Sequence, residues 1–180
     1  LTWVNHGFSE LNDTAGCGCG QHTYKVMTHA DFKTKPLNAA LDIWEQSKQQ
    51  SAPNGAVMRT AVMGCSQFWN PTKVIADAAI AAQVTHADPR CVASAVAVSA
   101  AIASLISSDP SATFADRVQL ALEAAENAAR PHISTCSEEI QREYERYMNA
   151  AASLKDLILG DNKTMGYAFK ALGAGFWALR

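Results

Sequence analysis

Three short stretches of this chain carry residues suited to holding an anion or a planar ligand. The first is Gly16-Cys17-Gly18-Cys19-Gly20, with three glycines in five positions. Glycine lets the backbone adopt positive φ and lets a ligand approach it closely, so the run is either a tight turn or part of a binding site. It is not a dinucleotide fingerprint, because the spacing is wrong and no strand precedes it. It is not a P-loop either, since no Gly-Lys-Ser/Thr follows. The second stretch is Pro53-Asn54-Gly55-Ala56-Val57-Met58-Arg59. Asn54-Gly55 is a common turn pair before a helix, and the small Ala56 beside it leaves room for a ligand. Arg59 either binds a phosphate or braces the loop against an acidic neighbour. Bracing is favoured, because helix residues past the first turn point away from the N-terminal end. The third stretch is Thr85-His86-Ala87-Asp88-Pro89-Arg90. His86 there is either a hydrogen-bonded structural residue, or a donor to a phosphate and a stacking surface for an aromatic base. Each stretch leads toward a helix start, whose unpaired N–H groups and partial positive charge can hold phosphate. Convergence of the three at one end of a bundle would suit a diphosphate with two sugars.

The remaining titratable residues make weaker cases. Among them are His6 and His22, His132, which follows Pro131, and His29, which lies next to Asp31 with no identifiable partner. Cys17, Cys19 and His22 offer three zinc ligands without a fourth at finger spacing. Five cysteines, odd in number and irregular in spacing, argue against a disulfide framework and predict reduced thiols in a cytoplasmic protein. The net charge of −2 and scattered basic residues exclude broad electrostatic attraction to nucleic acid. No basic region leading into an apolar run opens the chain, so no signal peptide is read. The charge-free run Cys91–Ser108 is long enough for a membrane span. Its Ala, Ser and Val content predicts instead a helix buried on all sides within a bundle.

The elements that would position these residues read as helices in a single all-α unit over residues 1–180. A short helical stretch follows the glycine run through Met27. Pro36 opens a helix to Lys48, with Leu37, Ala40, Leu41 and Trp44 on one face. Asn70-Pro71 and Asp88-Pro89 pair a capping side chain with a first-turn proline and open helices over 71–83 and 89–107. Thr113 caps a helix bearing Phe114, Val118, Leu122 and Ala125, which Pro131 is expected to stop. Thr135 with Glu138 has capping-box spacing, predicting a helix over 136–158 with Ile140, Tyr144, Tyr147, Met148, Ala151 and Leu154 as its apolar stripe. A last helix runs from Asp161 or Asn162 through Trp177. Trp3, Phe8 and Leu11 are expected to pack. No run shows strand alternation.

The Asn54-Gly55-Ala56-x-Met58-Arg59 and Thr85-His86 motifs, in this order, resemble the ADP-ribosylglycohydrolase family. The run from Gly166-Tyr167-Ala168-Phe169 to Trp177-Ala178 is similar to that family's penultimate helical stretch, and Asn5-His6-Gly7-Phe8 through Asp13-Thr14 looks most like fungal members. The resemblance implies a compact all-α fold and removal of ADP-ribose from a modified protein or small molecule. It implies that ADP-ribose lies against Gly16, Gly18, Gly20, Asn54, Gly55, Ala56 and His86. It also implies two Mg²⁺ ions, Mn²⁺ in some members, held by an acidic Thr/Asp-Asp motif near one end and an Asp-x-Asp-Thr motif near the other. This chain contains neither motif. The expectation is therefore a central piece of such an enzyme, incomplete at both ends, that supplies ligand-binding loops but neither metal ligands nor catalytic residues. The complete enzyme would cleave the glycosidic bond at the ribose C1″ with metal assistance, through an oxocarbenium-like transition state. Two other readings stand beside it: an ADP-ribose-binding module that never held metals, and a helical interaction domain whose motifs are ordinary turns.

Overall fold

Helix α6, Pro89–Ser107, is the axis around which the chain packs, and its composition explains why. A Cα–Cα approach close enough to bury a helix on all sides needs small side chains. Ala93, Ala97 and Ala101 at i, i+4 and i+8 meet one set of neighbours, and Val92, Val96 and Ala100 meet another. The helix is apolar and long enough to cross a membrane by composition, yet it lies between α5 (Pro71–Gln83) and α7 (Phe114–Ile133). The computed structural model describes residues 2–14, 18–149 and 153–180, and the described residues are helical with no strand beyond one isolated bridge. The fold class is all-α.

The remaining α-helices in chain order are α1 (Thr2–His6), α2 (Gln21–Met27), α3 (Pro36–Gln46), α4 (Gly55–Thr60), α8 (Glu138–Met148) and α9 (Ala168–Leu179). Short 3₁₀ turns cover Ser9–Leu11, Ala61–Gly64 and Leu154–Leu157. One core joins α6 and α7 to Tyr144, Tyr147 and Met148 of α8 and to Phe169, Leu172 and Phe176 of α9. A second joins the other side of α6 to Ala52, Ala56, Ala78, Ala82 and Ala168. A third, smaller cluster of Val26, Ala39 and Ala40 docks α2 on α3. Gly64 allows a close approach to the axis: a Cβ there would clash with the Ser99 carbonyl oxygen and the Ile102 side chain.

Caps at Asn70, Asp88 and Thr113 form as the sequence predicts, each accepting a backbone N–H of its helix. Several expectations need correction. Pro131 does not stop α7. It lies in the last turn, so only one donor is lost, and Ser134 N–H still reaches the Arg130 carbonyl at 2.9 Å. The predicted helix over 136–158 is divided. Ser137, not Thr135, caps α8, because the Thr135 hydroxyl is spent on the His132 carbonyl. The α8 helix ends at Met148, whose carbonyl accepts Arg180, and Ser153 starts a separate 3₁₀ turn. Ala151 lies outside the described residues, and Leu154 is exposed. Asp161 does not start α9 either. Its carboxylate closes a local turn with the Lys163 N–H and the Thr164 hydroxyl, and the helix begins at Ala168. On α3, which ends at Gln46 rather than Lys48, Ala39 and Ala40 are buried while Leu37 and Leu41 are exposed. Phe8, Leu11 and Phe114 are likewise exposed rather than packed, and α1 was not anticipated.

Candidate functional site

Two backbone devices place the Asn54 loop. Asn54 N–H donates to the Gly166 carbonyl at 2.7 Å, and Ala168 N–H donates to the Ala52 carbonyl at 2.9 Å. Pro53 and Tyr167 thereby form an antiparallel bridge that ties the loop to the start of α9. Beyond the loop, the Arg59 guanidinium donates to the Ala81 and Ala82 carbonyls at 2.7 and 3.2 Å and to the Gly55 carbonyl at 3.2 Å. Arg59 therefore braces, as expected, but against the C-terminal carbonyls of α5 rather than an acidic neighbour. A cation there also meets the negative end of that helix.

His86 follows directly from the end of α5, where its N–H closes a turn on Ala82. Its side chain is 1% exposed. Nδ1 lies 2.8 Å from the Thr85 hydroxyl and 3.5 Å from the Arg59 guanidinium. A guanidinium only donates, so Nδ1 accepts and the ring proton sits on Nε2. Nε2 is buried without a partner. It packs over Gly55, where a Cβ would stand only 3.0 Å away, which is why that position holds glycine. Burial, followed by the neighbouring His22 and Arg59, pushes the His86 pKa down to about 3.

Asp88 is more than a cap. At 2% exposure it accepts the Arg90 backbone N–H and the Arg90 guanidinium on Oδ1, at 2.8 and 2.9 Å. On Oδ2 it accepts Arg90 again at 2.6 Å and the Trp44 indole at 2.7 Å. Arg90 continues to the Gln49 carbonyl and stacks over Tyr167, 5.8 Å from the ring centre. The network locks α3, the loop before Asn54, α6 and α9 together. It also means that the start of α6 already carries its own anion, so the phosphate site expected there is taken by Asp88. The helices after the other two loops have only seven and six residues, so their macrodipoles are small.

These elements enclose a cleft of about 740 Å³, within the size range of small-molecule sites. Gly18, Gly20, Asn54, Gly55 and His86 all line it, so the structure brings together five of the seven residues singled out in the sequence. Ala56 does not line it but is fully buried in the second core. Gly16 and Cys17 lie outside the described residues. Trp3, Met27, Pro53 and Met58 give the cleft a largely apolar wall. Trp3 offers it a ring rather than a donor, since its indole N–H is spent on Asp13 at 3.0 Å. His22 and Ser51 also line the cleft, and sequence reasoning gave them little or no weight. Their partners lie too far along the chain to be read from spacing.

A family model for ADP-ribosylglycohydrolase matches residues 1–180. The chain belongs to the ADP-ribosylglycohydrolase family. No curated protein and no solved structure matches it. ADP-ribosylglycohydrolases are hydrolases acting on ADP-ribosylated substrates and generally use divalent metals, which invites a test of the residues present. The cleft lining described above contains no Asp or Glu, whereas Mg²⁺ takes oxygen ligands, with carboxylates the usual protein donors. His29, Asp31 and Asp42 have ligand atoms within 4.8 Å of one another, at the α2–α3 junction. However, His29 Nδ1 accepts the Asp31 N–H at 3.3 Å, which places the ring proton on Nε2, facing Asp42 at 3.6 Å. His29 thus faces Asp42 across an ion-pair distance, with Asp31 as one further carboxylate. The described residues do not fit a two-Mg²⁺ centre.

Proposed function

We propose that this cleft binds ADP-ribose, free or attached to a protein or small molecule, as the ligand-holding part of an ADP-ribose-removing hydrolase. The observation that carries the reading is the convergence of the Gly18–Gly20, Asn54–Gly55 and Thr85–His86 loops on one cleft in a chain of this family. The diphosphate is assigned to the two glycine-bearing loops, where a phosphate can approach the backbone. The adenine is assigned to the apolar wall of Trp3, Pro53 and the two methionines. The Asn54 side chain caps nothing in α4, which leaves its carboxamide for the ligand. His86 acts by holding Gly55 and its loop in shape, not by carrying charge.

The absence of a carboxylate in the described lining favours binding with negligible turnover by these 180 residues, since a divalent metal acting at C1″ has no carboxylate ligand there. A cytoplasmic setting is in keeping with Cys19, Cys65, Cys91 and Cys136 as free thiols. Calorimetric titration tests the assignment. ADP-ribose is expected to bind the wild-type chain and to bind Asn54→Ala at least about tenfold more weakly, the loss of one good hydrogen bond. Equal affinities would remove Asn54 from the site.

A further inference from the structure

The cleft contains a hydroxyl and an imidazole that ADP-ribose binding does not require. Ser51 Oγ lies 3.0 Å from His22 Nδ1, and both residues line the cleft. The other ring nitrogen, Nε2, lies 3.0 Å from the Thr85 carbonyl oxygen. A carbonyl oxygen can only accept, so the ring proton sits on Nε2 and Nδ1 turns its lone pair to the Ser51 hydroxyl. A serine hydroxyl bonded to an imidazole whose second nitrogen is held by a third group is the arrangement that activates a serine nucleophile. Here Nδ1 is the base, and a peptide carbonyl stands where the orienting carboxylate of a serine triad would be. The His22 ring is fixed further by His86, whose ring centre is 4.8 Å away. Burial lowers the His22 pKa by more than the Thr85 hydrogen bond raises it, with smaller contributions from Lys25 (lowering) and Asp88 (raising), so the imidazole is the free base at neutral pH.

We infer that Ser51 and His22 form a nucleophile–base pair that takes the acyl group from a carboxylic ester bound in the cleft. Ser51 Oγ forms the bond to the acyl carbon while its proton passes to His22 Nδ1. The ester C–O bond breaks, and the alcohol leaves with that proton. Water then attacks the acyl-serine, giving a proton to Nδ1, and Ser51 Oγ recovers it as the carboxylic acid departs. Nothing is oxidised or reduced. The Thr85 carbonyl steadies an imidazolium less than a carboxylate would, so turnover is slow.

The test treats the full chain with a fluorophosphonate, which phosphonylates activated serine hydroxyls with loss of fluoride, and maps the adduct by peptide mass spectrometry. The expected result is an adduct on Ser51 in folded protein, absent in urea. Its formation should be slowed roughly 10²-fold or more in His22→Gln, the usual scale of a lost general base. An acyl burst with p-nitrophenyl acetate should disappear in Ser51→Ala. No adduct on Ser51 in the folded wild type, or an unchanged rate in a His22→Gln variant that melts like wild type, would overturn the proposal. If His22→Gln fails to fold, the wild-type map decides alone. The outcome is separable from ADP-ribose binding, because either can be observed without the other.

Discussion

His86 is held by neighbours that each do one thing. Thr85 and Arg59 fix Nδ1, His22 lies beside the ring, and Gly55 passes under Nε2 with no side chain between. Gly55→Ala would place a methyl 3.0 Å from Nε2, so either the buried ring or the Asn54 loop must shift. Overpacking of this kind costs about 1–3 kcal/mol, and urea unfolding should show it together with weakened ADP-ribose binding. The same burial makes a pH prediction. The folded-state pKa of His86 is about 3, against 6.5 for the free side chain. Below 6.5 the unfolded chain takes up a proton that the folded protein refuses, so this group's stabilisation is complete above that pH and is lost as pH falls toward 3. The slope approaches about 1.4 kcal/mol per pH unit, the limit for one proton. Urea unfolding at about pH 4 to 8 should show a steeper loss for wild type than for His86→Gln. Parallel curves would mean that His86 is already solvated or paired.

Among the elements, the segment between α8 and α9 has a consequence for the cleft. Lys170, 4% exposed, donates from Nζ to the Ile158 carbonyl and the Thr164 hydroxyl, each at 2.6 Å. That clamp fixes residues 158–167, and Gly166 in turn holds the Asn54 N–H. Lys170→Met would leave the Ile158 carbonyl unpaired, costing about 1–3 kcal/mol. Hydrogen exchange at the Asn54 amide should then speed up, and an unchanged rate would contradict the coupling. The contrast between α6 and this segment shows what was legible in the sequence. Asp88-Pro89 and the Ala/Val run of α6 are local signals, and that helix starts and ends where they place it. Residues 158–167 are organised by the Lys170 side chain and by the Gly166–Asn54 and Ala52–Ala168 bonds, the last two spanning over a hundred residues. Without them Asp161 reads as a helix cap. The exposed Leu37 and Leu41 mislead for a related reason: periodicity finds an apolar face, but here Val26 packs on Ala40 of that face and on Ala39 beside it.

For the whole molecule, the family match spans residues 1–180, and the cleft gathers three loops within that span. Asn54, Gly55 and His86 could be singled out because each sits beside a turn residue at a helix start, which is local information. The roles of Arg59, His22 and Ser51 depend on carbonyls and rings reached only after folding. The cleft's wall, largely apolar and free of carboxylates among the described residues, is in keeping with the proposed binding role. The most direct measurement is a thermal melt of the purified chain with and without ADP-ribose, each with and without Mg²⁺. A ligand bound only by the folded state, at about a hundred times its Kd, adds about 2.7 kcal/mol, or roughly 5–10 °C for a domain of this size. The account predicts that ADP-ribose raises Tm by that order and that Mg²⁺ changes the shift little. A cooperative melt that ADP-ribose leaves unmoved would contradict it.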